Sequence, residues 1–342
     1  MRLRIRTLSC FTIVFVGLVF VTGSPAQSTR NNERPAACDQ YDQLPVPPAD
    51  LPSAAEREGL ARCDSYKLYF GLNDPANAVA ARKCAYLQRD DKTRIMDNPF
   101  ESSGLLAMIY ANGRGAARNF KLAQKFSCEI DGAPAENSGR FEHLAKLQQQ
   151  NWMGSDFNLC DDSTSGFMQG WCAKLNNDLA RVEQGKNLES LTARWSAVEK
   201  QAFQLLQQAA NAYFQTSSQN EVDLSGTGRA AFEIEAEATL QVEFQAALQR
   251  FEKGDLPSFA AEQFHEADGQ LNSGYAKIQF KPAQGMAYTT VTPDGIKLTQ
   301  RAWLRYRDAW VKFGAIKYPT VSADSWKTWL TQQRIKQLQP WL

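Results

Sequence analysis

Seven cysteines, two histidines and a scatter of carboxylates are the side chains from which this chain could build chemistry. His143 and His265 are the only imidazoles. Neither lies in a recognisable nucleophile context, and no G-x-S-x-G occurs, so a serine or cysteine hydrolase site is not supported. His265-Glu266 lacks the second histidine of a zinc-protease helix. Asp161-Asp162-Ser163 has no glutamate at the twelfth loop position of a calcium-binding hand. Gly226-Thr227-Gly228 has no third glycine and does not follow a strand, so no phosphate loop is present. Glu233, Glu235 and Glu237 are acids of the right type for a glycosidase. A spacing of two on a helix turns them to different faces. The residues therefore point to binding and not to catalysis, and they imply no metal and no cofactor.

The cysteines carry a different message. Cys38, Cys63, Cys84, Cys128, Cys160 and Cys172 remain once Cys10 is removed with an amino-terminal leader. Arg2, Arg4 and Arg6, the apolar run Phe11 to Val21, and Ser24-Pro25-Ala26 have the order of a signal peptide over 1–26, cut before Gln27. The apolar run is shorter than the ~20 residues of a membrane span. An even cysteine number in an exported chain argues for disulfides and for a periplasmic or secreted protein. There is no C-x-x-C pair to favour zinc. The expected bridges join neighbours along the chain: Cys38–Cys63, Cys84–Cys128 and Cys160–Cys172.

The elements that position these residues are helical. Of the 342 residues, 43% are hydrophobic and 22% charged, as in ordinary globular proteins. Without the three leader arginines the balance is 35 basic against 37 acidic residues. So even a balance gives no case for a nucleic-acid or polybasic membrane partner. Residues 27–59, with Pro35, Pro45, Pro47, Pro48 and Pro52, suit an extended segment tethered through Cys38. From 60 to 150, short helices are expected over Ala78–Leu87, Leu105–Ala111 and Phe120–Cys128, with Gly113-Arg114-Gly115 breaking the chain between helices.

From 151 to 342 the periodicity predicts longer amphipathic helices over Phe167–Val182, Leu188–Tyr213 and Ala230–Phe251. A loop is expected over Gln215–Asn220 and through Ser225 to Gly228, with Ser225 or Thr227 capping the next helix. Later helices are expected over Pro257–Gln279, Gly295–Phe313 and Ser322–Leu338, and Ala287–Thr292 reads as extended. The fold class is all-α: a short helical-hairpin repeat region followed by an antiparallel helical bundle.

Two stretches carry resemblances. Tyr69, Gly71, Asn77, Ala81 and Cys84 are echoed by Tyr110, Gly113, Asn119, Ala123 and Cys128 at an offset of 41 to 44 residues. With Leu106, Ala107, Gly115, Lys121 and Leu122, the second unit resembles a Sel-one-like repeat, a relative of the tetratricopeptide repeat. That resemblance implies a scaffold for protein contact over 60–150. In the second stretch, Asp268, Leu271, Asn272 and Tyr275 form A-D-x-x-L-N-x-x-Y. Gln300, Arg301, Trp303, Tyr306, Arg307 and Asp308 then form Q-R-x-W-x-x-Y-R-D some 25 to 30 residues later.

Together with the Cys160–Cys172 segment, this pairing resembles the LprI-type lysozyme inhibitor family over roughly 160–338. The resemblance implies an exported protein that binds, and inhibits, a lysozyme or another wall hydrolase. A cell-envelope adaptor using the repeats is the alternative, and a wall-cleaving glycosidase is a less favoured one. Many relatives have a cysteine a few residues after R-D, near Val311 here, and a partner cysteine further on; this chain has none after Cys172.

Within the motifs, Trp303, Tyr306, Trp310 and Phe313 recur at core spacing. Asp268, Asn272, Arg301 and Arg307 are expected to form a polar clasp between helices, with Asp308 pairing to Arg305 and Lys312 on the surface. Residues 221–255 carry eight acids against three bases, and 296–338 nine bases against two acids. Those runs either neutralise one another or leave an acidic face able to meet a cationic enzyme.

Overall fold

The computed structural model describes residues 34–93, 98–281 and 286–342; the segment read as a signal peptide lies outside them. Among the described residues there are twelve α-helices and no strand, an all-α fold. No helix among them is long and apolar enough to cross a membrane.

Two hairpins form the centre of the first half. Helix α2 (Ser65–Phe70) turns into α3 (Ala78–Asp90), and α4 (Ser102–Asn112) turns into α5 (Phe120–Ser127). Each first helix stops at a glycine in the left-handed region, Gly71 at φ +70° and Gly113 at φ +62°. Each second helix starts at an asparagine: the Asn77 side chain accepts from the Ala80 N–H and the Asn119 side chain from the Leu122 N–H. The Asn77 N–H donates to the Leu68 carbonyl at 2.8 Å, and the Asn119 N–H to the Tyr110 carbonyl at 2.9 Å. Ala81 and Ala123, each on the second helix of its hairpin, are fully buried. All four correspondences share one offset of 42 residues. At that register Cys84 matches Phe126, not Cys128.

The disulfides accordingly differ from the neighbour-to-neighbour expectation. Cys38 pairs with Cys128 and Cys63 with Cys84; only Cys160–Cys172 is as expected. The physical reason is that the proline-rich segment is not extended. It folds back as short 3-10 turns at Ala36–Tyr41 and Pro48–Asp50 and as α1 (Ala54–Gly59). Lys125 of α5 donates to the carbonyls of Tyr41 and Asp42, at 3.2 and 2.6 Å, which lays the first turn on α5 and brings Cys38 to Cys128. Gln88 of α3 donates to the Cys63 carbonyl at 3.4 Å beside the second bridge. Asp50 in turn receives the Tyr110 hydroxyl at 2.9 Å and lies 3.1 Å from Arg82.

Gly115, at φ +93°, runs so close to α3 that an added Cβ would stand 2.5 Å from the Ala78 carbonyl oxygen. Gly115→Ala is therefore expected to cost about 1–3 kcal/mol, from strain and steric conflict together. Gly185→Ala, in the interior of a helix with open space around it, is expected to gain about 0.5–1 kcal/mol. Thermal melts of the two variants, moving in opposite directions, check both.

Helix α6 (Pro134–Gln149) completes the first half, and α7 (Gly166–Thr192) leaves it. Met168 and Leu175 of α7 belong to the first buried cluster, whereas Leu188 and Leu191 pack on the second. The two cores thus divide inside α7, not at residue 150, and Cys160–Cys172 packs with the first.

The second core is built by α8 (Ala197–Asn220), α9 (Arg229–Glu252), α10 (Ala261–Gln279), α11 (Pro293–Lys317) and α12 (Ala323–Leu338). Helix α8 packs against both α9 and α11, and α12 against both α11 and α10. Four local expectations are corrected. The predicted Leu188–Tyr213 helix breaks at 193–196, where Trp195 turns into the core and Ser196 caps α8 in a reciprocal box with Glu199. Gln215–Asn220 stays helical: Thr216, Ser218 and Asn220 bond back to carbonyls of their own helix, and Ser218 is fully buried. Helix α9 starts at Gly228 without a side-chain cap, so neither Ser225 nor Thr227 serves. Residues 287–290 are turn and bend and no strand forms, although Thr292 itself is extended.

Candidate functional site

The motif residues sit on α10 and α11. Thr292 caps α11 by accepting from the Gly295 N–H at 3.0 Å, with Pro293 in the first turn. Ser322 accepts from the Ser325 N–H at 3.1 Å and opens α12. Gln263 accepts from the Ala260 N–H at 2.8 Å at the start of α10. With the helices fixed, Trp303, Tyr306, Trp310 and Phe313 all turn inward and are buried, and Leu271 meets them from α10. Trp310 stacks on Trp326 of α12 at 5.7 Å, and Phe251 stands edge-on to both. Burial pushes the Tyr306 hydroxyl pKa far up.

The expected polar clasp forms only in part. Arg307 lies 3.7 Å from Asp268 and 3.6 Å from Asp308, over the face of Trp303 at 5.2 Å. These are ion-pair distances, not the bidentate hydrogen bonds expected of a planar fork. Asn272 donates to Asp268 at 2.9 Å within α10. Arg301 is exposed and stays outside the clasp. Arg305 and Lys312 form no ion pair with Asp308, whose partner is Arg307.

The polar centre that does close is one the sequence reasoning missed. Arg334 of α12 is fully buried. It donates from Nε to Gln300 Oε1 at 2.9 Å and from both terminal nitrogens to the Glu221 carboxylate, Nη1 at 2.7 Å. Burial opposes its charge, but Tyr213 and Glu221 outweigh that and raise the Arg334 pKa. Burial also pushes Tyr213 up to about 12, against the pull of Arg334. A signal was present: Leu330, Arg334 and Leu338 are four apart, which puts a cation in an apolar stripe.

The two oppositely charged runs neutralise one another only locally. Glu221 meets Arg334, and Lys317 bridges Glu199 and Glu252 at 3.1 and 3.7 Å. Glu252 also accepts from the Tyr318 hydroxyl at 2.7 Å and the Trp195 indole at 3.3 Å. Glu237 pairs with Arg181 at 2.9 Å. Glu235 and Glu243 on α9, and Lys297, Arg301, Arg305 and Lys312 on α11, are exposed and have no ion-pair partner among the described residues.

A cleft of about 420 Å³ opens between α9 and α12. Tyr213, Phe244, Tyr306 and Trp329 are among its lining residues.

The residues weighed for catalysis are dispersed. His143 pairs with Asp162 at 3.1 Å in the first half, while His265 is exposed on α10. Asp161 caps its own turn with Asn158. Among the described residues no three His, Cys, Asp or Glu side chains gather as metal ligands.

A family model matches part of the chain. No curated protein and no solved structure matches the chain. The matched stretch begins in the last turn of α9 and covers α10, α11 and α12, which narrows the sequence resemblance read over 160–338. It takes in both motifs and leaves out the Cys160–Cys172 segment. Residues 251–338 match the family model described as Lysozyme inhibitor LprI.

Proposed function

We propose that this is an exported protein, periplasmic or secreted, that binds a peptidoglycan-degrading lysozyme and inhibits it. The observation that carries the reading is the family match, which coincides with three consecutive helices joined through one aromatic core. Three disulfides fit an oxidising compartment. The matched family is one of inhibitors, and no catalytic role is assigned to the chain.

Burial separates the motif residues by task. Leu271, Gln300, Trp303 and Tyr306 are buried and hold the helices together, whereas Asn272, Arg301 and Asp308 face solvent. The exposed three are the motif positions that a protein partner can read. In a peptidoglycan turbidity assay the purified protein is expected to slow clearing by an added lysozyme and to clear nothing alone. Arg301→Glu/Asp308→Arg is expected to weaken inhibition at least ~10-fold with an unchanged melting temperature, since rim charges set encounter and register. An undiminished clearing rate at excess protein would sink the reading, and clearing without lysozyme would restore the glycosidase alternative.

The matching caps and glycines of the two hairpins favour a second role for residues 60–150, a Sel-one-like scaffold that holds another envelope protein. A non-reducing pull-down with residues 34–342 that recovers only wall hydrolases would count against it.

A further inference from the structure

The cleft between α9 and α12 has no part in the motif surface just described, and its lining is chemically specific. Its floor is aromatic. Trp329, half-buried, is held in place edge-on by Phe251 at 5.0 Å and Trp310 at 5.3 Å. Phe244 and Tyr306 line it too but are buried, so Trp329 offers the accessible ring face. A ring so held is a fixed apolar platform whose geometry does not have to be ordered on binding.

The rim is polar and unengaged. The Tyr213 hydroxyl donates to Gln337 Oε1 at 2.6 Å, which fixes that amide and leaves its NH2 group without a hydrogen-bond partner among the described residues. Gln333, Lys336 and Glu243 also line the cleft, and their side chains have neither hydrogen bond nor ion pair among the described residues. Arg250, at one end, is occupied by Asp255 at 3.3 Å. The free rim thus offers amide and ammonium donors and a carboxylate acceptor, and Lys336 and Glu243 offset each other in charge.

We propose that this cleft binds a short, uncharged glycan of acetamido sugars. A sugar ring presents an apolar C–H face to aromatic rings and hydroxyls at its edge. An acetamido group adds a carbonyl for the Gln333 and Gln337 amides and an N–H for Glu243. The cleft volume lies in the range of roughly 300–1,000 Å³ at which proteins bind small ligands. Other ligand classes fit less well. Nucleic acid calls for a net basic lining. An added peptide strand calls for a sheet edge, and no strand exists among the described residues. A lipid chain calls for an apolar enclosure, not a rim of free amides and charges.

The inference does not depend on lysozyme inhibition, and its test contains no lysozyme. Isothermal titration of the full chain with a β-1,4-linked N-acetylglucosamine tetramer is expected to show saturable binding. Cellotetraose, the same backbone without acetamido groups, should bind at least ~10-fold more weakly, the loss expected when one or two hydrogen bonds go unmade. Gln333→Ala/Gln337→Ala should weaken tetramer binding by a similar factor at unchanged helicity. A readout on unmutated protein covers the case in which that variant fails to fold. With fluorine-labelled tryptophan, the Trp329 resonance, assigned through Trp329→Phe, should shift on titration. No heat and no shift at millimolar tetramer would overturn the proposal. Equal binding of cellotetraose, or undiminished binding by a folded double variant, would do so too.

Discussion

Arg334→Met is expected to destabilise the second half of the protein by about 3–5 kcal/mol, the loss typical when one member of a buried ion pair is removed. The arginine is fully buried and its carboxylate partner nearly so, with side-chain exposures of 0% and 5%. Replacing the guanidinium leaves the Glu221 carboxylate in the core with no cation, and Gln300 Oε1 loses its donor. Since the damage is an orphaned charge and not lost packing, Glu221→Leu/Arg334→Met should recover most of it. In a domain of this size the single variant should melt about 10 °C lower. Urea unfolding of both singles and the double gives the coupling. A single-variant loss below about 1 kcal/mol would show that the triad has little energetic weight.

The second large effect concerns the first half. Cys38–Cys128 spans 90 residues, and the other two bridges span 21 and 12. In the chain-entropy account, the longest loop gives the largest stabilisation, roughly 4–5 kcal/mol against about 3 for the shorter ones. Cys38→Ser/Cys128→Ser should therefore unfold α1 to α6 well before the bundle. Six of the eight tryptophans, Trp195, Trp303, Trp310, Trp326, Trp329 and Trp341, belong to the second core or pack on it. Tryptophan fluorescence should then report the later transition almost alone, while hydrogen exchange shows early loss of protection in α3 and α5. A single coincident transition by both probes would refute the separation.

How much of this was legible follows from whether a signal is local. Gly71, Gly113, Asn77 and Asn119 announce turns and caps through their own backbone preferences. The Trp303 to Phe313 stripe announces burial through its period, so the motif helices appear where the sequence put them. The cysteine pairing was not legible, because neighbours along the chain are not neighbours once residues 34–59 fold back on α5. Gln215–Asn220 was misread as a loop because its polar side chains bond to their own helix, and that compensation is invisible in composition. The Glu221–Arg334–Gln300 centre joins residues as much as 113 positions apart. Only Arg334 left a trace, as a cation out of phase with solvent. The surface half of the motif, Asn272, Arg301 and Asp308, is legible as sequence and mute as structure until a partner is present.

Every sulfur crosslink lies at or before Cys172. A polypeptide delivered amino end first into an oxidising space would have all six thiols across by the time half its length had emerged. Its oxidation could finish while α8 to α12 were still in transit, and the aromatic bundle would then assemble by hydrophobic collapse alone. Such a chain asks its thiol oxidase for an early, brief encounter and nothing of it afterwards.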